Sequence, residues 1–137
     1  LVVYNNTLGY WEYTKTLDGD YTISGNTTQY GDQFIHSAEG LVLTTGTYTL
    51  ETVPVTSGKS IQFDYVVYND SEDSRAGTVI VVWNSTTATL TDNSTPDING
   101  VTDTVKFDVT NDGTNVRLNV VTGVDGWSVV GGTRVIF

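Results

Sequence analysis

Apolar and polar residues alternate with a period of two along most of this chain, and that alternation limits what it can fold into. In Ile61-Gln62-Phe63-Asp64-Tyr65-Val66-Val67 the side chains at 61, 63, 65 and 67 fall on one face of an extended backbone, opposite Gln62 and Asp64. Val105-Lys106-Phe107-Asp108-Val109 and Val116-Arg117-Leu118-Asn119-Val120 repeat the pattern on either side of Asn111-Asp112-Gly113, a turn sequence that predicts a hairpin. Thr78-Val79-Ile80-Val81-Val82-Trp83 is apolar on both faces. It is expected either at the centre of a sheet or covered on its second face by another subunit.

Further strands are expected at 9–16, 21–24, 33–36, 47–53, 88–91, 127–130 and 133–137. That makes about ten short strands at a spacing of roughly 8–12 residues, the signature of a sandwich or jelly roll. No segment carries a 3.6-residue stripe, and Ala, Glu and Lys, which favour surface helix, are scarce. Pro54 and Pro96 fall at a strand end and in the polar loop 92–100, where a missing N–H is tolerated. The expected fold is all-β: an antiparallel β-sandwich, jelly-roll-like.

The 137 residues suit one domain. Within it, residues 58–137 read as a self-contained core and residues 1–57 as an extra layer or arm. The first residue is Leu1, with no initiator Met and no charged-then-apolar leader, so the chain is expected to be a fragment, and its apolar end Val135-Ile136-Phe137 to be a C-terminus.

A formal charge of −10, with six Lys and Arg in all, argues against a nucleic-acid partner. It argues equally against an anionic membrane surface, and no apolar run approaches the roughly 18 residues needed to cross a bilayer. The absence of Cys removes disulfides, thiolate metal sites and Cys nucleophiles.

The chemistry available for catalysis is thin. His36 is the single histidine, and its neighbour Ser37 would point to the opposite strand face; no Gly-x-Ser-x-Gly elbow is present. Paired carboxylates could in principle be drawn from Glu12, Glu39 and Glu51, with Glu12 between Trp11 and Tyr13, but an alternating strand with Glu12 outside explains that run as well. No enzyme activity and no cofactor are expected. Acidic loops at Asp18-Gly19-Asp20, Asp70-Ser71-Glu72-Asp73 and 92–97 offer oxygen ligands for a hard cation, and Asp70, Glu72 and Asp73 are the candidates of choice. Such clusters also build β-turns. Rings at Tyr4, Tyr10, Trp11, Tyr13, Tyr30 and Tyr48 concentrate in the first half, and a receptor-binding loop would carry Asn26, Gln29 and Tyr30. The Asn-x-Ser/Thr sequons at Asn5, Asn26, Asn69, Asn84 and Asn93 follow from composition.

Over about residues 58–137 the chain resembles a β-sandwich module of tailed-bacteriophage head or tail fibre proteins. The resemblance rests on Phe63-Asp64-Tyr65-Val66-Val67, on Arg75-Ala76-Gly77-Thr78-Val79 leading to Val82-Trp83-Asn84, on the loop 92–95, and on Val116-Arg117-Leu118, Gly126-Trp127-Ser128 and Arg134-Val135. It implies a non-enzymatic, homotrimeric virion component that meets other virion proteins, with a host-surface glycan as a candidate ligand. The alternative is a monomeric carbohydrate-binding or adhesin module of a bacterial surface or secreted protein.

Overall fold

The computed structural model describes the backbone of Val2–Asn5, Tyr10–Tyr13 and residues 33–137, with side chains from Leu41 onward. Among the described residues every regular element is a strand. They are β1 (Val2–Asn5), β2 (Tyr10–Tyr13), β3 (Gln33–Leu43), β4 (Gly46–Pro54), β5 (Ser60–Asn69), β6 (Ser74–Trp83), β7 (Ala88–Ser94), β8 (Val105–Asn111), β9 (Asn115–Thr122) and β10 (Trp127–Ile136). The expected strand at 21–24 lies outside the described residues.

β1 and β2 form an antiparallel pair. The other eight strands make two antiparallel sheets, one of five in the order β3-β10-β5-β6-β7 and one of three in the order β4-β9-β8. One apolar cluster joins their inner faces, with Ile61, Phe63, Val67, Val79, Val81 and Val135 from the large sheet against Val53, Val105, Val116, Leu118 and Val120 from the small one. This is the expected sandwich, and the period of two is its cause. Odd positions of β5 and β6 are buried and even positions of β9 are buried, each set facing the other sheet. Phe107 of β8 crosses the gap, 5.9 Å edge-on to the ring of Phe63 and 4.5 Å from that of Tyr65.

The structure departs from the sequence reading in several places; β1 was not expected, and β3 runs on to Leu43. The segments 127–130 and 133–137 are one strand, β10, which runs between β3 and β5 and carries a register irregularity against β3 between Val129 and Gly131. Gly131-Gly132 is no turn. A Cβ at Gly131 would sit 2.3 Å from the Asp64 carbonyl oxygen and 2.7 Å from the Phe63 ring, so Gly is needed there for close packing. β6 begins at Ser74, four residues before the apolar run that announced it. Finally, the stretch 1–57 supplies integral strands: β3 pairs with β10, β4 pairs with β9, and Leu43 and Val53 are buried in the core.

The hairpin between β8 and β9 forms where Asn111-Asp112-Gly113 placed it, with Gly113 at φ 84°. Asp112 accepts hydrogen bonds from the Thr114 and Asn115 amides and from the Arg117 guanidinium, 2.6 Å away. The Asn115 amide is the largest cause holding this carboxyl at about 2, below its ordinary 3.8. A depressed carboxylate stabilises the fold above its unfolded value and loses that contribution as pH falls through the folded one. Acid titration of the urea midpoint should therefore fall more steeply for the wild type than for Asp112→Asn between about pH 4 and pH 2. Parallel curves would show that the turn contributes nothing.

Trp83 is 8% exposed, closes the inward row of β6 and donates its indole N–H to the Val55 carbonyl at 3.1 Å. Trp83→Ala should cost ~3–5 kcal/mol. A folded variant with an unchanged melting temperature would contradict this placement.

Candidate functional site

The inward row of β6 begins with a charge. Arg75 shares the parity of Val79, Val81 and Trp83, so its side chain enters the sandwich, where it is 8% exposed. A guanidinium there is tolerable only if its donors are satisfied. Nη1 donates to the carbonyl and the hydroxyl of Thr102, each at 2.7 Å; Nη2 donates to the Val105 carbonyl at 2.8 Å; Nε donates to the Tyr65 hydroxyl at 3.2 Å. Asp92 of β7 lies 3.7 Å from Nη2, and the Tyr65 ring centroid is 5.6 Å from the guanidinium carbon.

The neighbours extend this network. Tyr65 donates to Asp92 at 2.6 Å, and burial, then this hydrogen bond, pushes its hydroxyl above the ordinary value while Arg75 opposes the rise. The Thr102 hydroxyl donates to Asp97, as does its amide, and these bonds hold the Asp97 carboxyl below the ordinary range. Gly77, next along the same inward row, leaves room for the arrangement: a Cβ there would lie 2.8 Å from the Tyr65 hydroxyl and 2.5 Å from the Asn93 carbonyl. A recess of about 430 Å³ opens over Arg75, Asp92, Asp97, Asp103 and Lys106. Arg75, Asp92 and Asp97 are already committed to holding the 95–104 loop against the start of β8. The arrangement acts as a clamp.

A larger open trough, about 1010 Å³, lies on the outer face of the five-stranded sheet over Gly131 and Gly132. Asp64, Thr78 and Asn93 form a polar stripe across it, in register with Gly132. Thr78 donates its hydroxyl to Asp64 at 2.6 Å. Val66, Ala76 and Val130 form the adjoining apolar row.

The residues singled out in the sequence are dispersed. Asn26, Gln29, Tyr30 and the loop at Asp18 lie outside the described residues. His36 and Ser37 sit on β3 opposite Thr133 and Gly132, and Glu12 on β2 opposite Val3; their side chains are likewise outside the description. Glu51 sits on β4 opposite Leu118, beside a register irregularity. The 70–73 segment is the turn from β5 to β6, with Glu72 at φ 66°. There Asp73 accepts from the side-chain amides of Asn69 and Asn99, at 2.9 and 3.0 Å, while Asn69 receives the amides of Ser71 and Asp73. Among the described residues no three His, Cys, Asp or Glu side chains converge to hold a metal. No described helix is long and apolar enough to cross a membrane. The parity of Arg75 with Val79 and Trp83 was the available sign that it points inward.

Comparison by sequence finds no matching protein family and no matching curated protein. Comparison of folds does find similar structures. The chain is similar to part of the tailspike protein gp49 of Acinetobacter baumannii bacteriophage Fri1, a capsular polysaccharide depolymerase, with a TM-score of 0.52 and 13% identity over 82% of this chain. The tailspike protein of Acinetobacter phage vB_ApiP_P1 aligns with a TM-score of 0.45 and 9% identity over 90% of this chain. The fold resembles a module of phage appendage proteins. The chain spans 19% and 25% of the lengths of these two proteins.

Arg75→Met should strand the carbonyls of Thr102 and Val105 and cost at least ~2 kcal/mol in urea unfolding. Arg75→Lys should recover little of it, because one ammonium cannot reach acceptors spread around a planar fork. Equal stability of Arg75→Lys and wild type would show that charge alone is required there.

Proposed function

We propose that this chain is a non-enzymatic structural module of a bacteriophage tail appendage, which assembles as a homotrimer on the virion, contacts other virion proteins and presents a surface to a host glycan. The observation that carries this reading is the fold likeness to a segment of the Fri1 tailspike. A sandwich corresponding to about a fifth of such a chain fits one module among several. The tailspike's depolymerase activity belongs to a much longer protein, and no sequence identity argues for its transfer.

The described side chains support a non-catalytic role. Glycoside hydrolysis needs two carboxyl groups about 5–10 Å apart, one held protonated and one free to act. Of the three carboxylates lining the recess, Asp92 and Asp97 are instead bonded to Tyr65 and Thr102, and Asp97 is held toward its ionised form. A trimer is supported by the apolar surface left on the large sheet, where Ile80 and Val82 alternate with buried Val79 and Val81.

Light scattering of the purified protein should report three times the 14.9 kDa chain mass, with no shortening of capsular polysaccharide during incubation. A stable monomer that binds a glycan array would instead establish the carbohydrate-binding module, and polysaccharide cleavage would overturn the non-enzymatic reading.

A further inference from the structure

The two outer faces of the sandwich differ in kind. On the three-stranded sheet the outward positions include Lys106, Asp108, Thr110, Arg117, Thr47 and Thr49, with Val121 and the buried Asn119 between them on β9, a mostly polar face. On the five-stranded sheet, register places Val42 near Tyr68, Val130 opposite Val66, and Ile80 and Val82 side by side on β6. These six side chains are between 37% and 70% exposed. They form two apolar patches on either side of the Asp64–Thr78–Asn93 stripe, whose carboxylate is already bonded within the chain.

Charge selects the occupant of this face. The chain carries −10 overall and repels its own copies across most surfaces. Among the described outward side chains of the large sheet, the charged ones are Asp64 and Arg134, one of each sign. This is where a second acidic chain can approach without a Coulomb penalty, and Asp64 of one copy can face Arg134 of the next. Extent agrees. Five strands about 4.8 Å apart and some ten residues long cover on the order of 800 Å², the area a standard stable interface buries on each partner.

We infer that the outer face of the five-stranded sheet is the self-association surface, with the patches around Val66 and Val82 buried against another copy of the same chain. This rests on the trimeric reading and adds its location. The side chains of the large sheet thus have two jobs: odd residues of β5 and β6 close the sandwich, and even residues bind the neighbouring copy.

The chain contains no cysteine, so single thiols report burial cleanly. Val66→Cys and Val82→Cys, with Thr110→Cys on the opposite face as control, would be labelled with a maleimide across a dilution series, with the mass followed by light scattering. Labelling of the first two should slow more than about tenfold as the chain associates, because interface cores pack at interior density, while the control stays fast. A Val66→Cys or Val82→Cys variant that folds but stays monomeric supports the same surface. Fast labelling of Val66→Cys and Val82→Cys in a proven trimer overturns the location and leaves the trimer standing. Slow labelling in the dilute monomer overturns it too, since the chain's own residues would then cover the face. A wild type that is monomeric at every concentration overturns the trimeric reading and this inference with it.

Discussion

Strand β6 ties the two sheets together at both ends, and most of the architecture follows from its inward row. At one end Arg75 reaches the Thr102 and Val105 carbonyls, which lead into β8. At the other, Trp83 reaches the Val55 carbonyl just beyond β4. Val79 and Val81 lie between, fully buried. A sheet pair held by apolar contact alone can slide, because dispersion and burial have little direction. Directional bonds at two separated points define how the sheets sit. The Arg75 end also orders the long connection from β7 to β8, which contains no strand and would otherwise rest on little apolar burial.

The large sheet is assembled from distant parts of the chain, and a glycine makes that possible. β10, the last strand, enters between β3 and β5. Its Gly131 lies against the Phe63 ring with no room for a Cβ. Phe63 in turn meets Phe107 of the small sheet, so the crowded glycine position in one sheet and an aromatic contact between sheets share one residue. An alanine at 131 would press on both at once.

Strand identity was legible in the sequence wherever alternation was strict. Phe63-Asp64-Tyr65 and Val116-Arg117-Leu118 fall on the faces their parity assigned. Legibility failed where packing departs from parity signals. Gly131-Gly132 interrupts the alternation and so splits the expected strand at 130 and 133, and only tertiary crowding against Phe63 reveals why glycine stands there. The start of β6 was hidden because Arg75 and Gly77 occupy inward positions usually held by apolar residues. At the acidic 70–73 segment carboxylate clustering fits both a turn and a cation site, and the bonds from the Asn69 and Asn99 amides to Asp73 could not be read from spacing. Ile80 and Val82 were seen to give β6 two apolar faces. Their exposure follows from the absence of any described strand layer over that side of the large sheet.

The functional account joins these levels. Alternation builds the sandwich, the β6 clamps set its shape, and the apolar residues not used inside define a face whose described side chains are nearly neutral on an acidic protein. That face, more than any recess, is where the chain has unspent binding energy. An experimental structure of the associated protein, determined at side-chain resolution, tests this most directly. The account predicts that Val66, Ile80 and Val82 of each copy are packed against another copy, with Lys106 and Asp108 of the small sheet in solvent. Copies joined through the small sheet, with the face of Val66 and Val82 open to water, would contradict it.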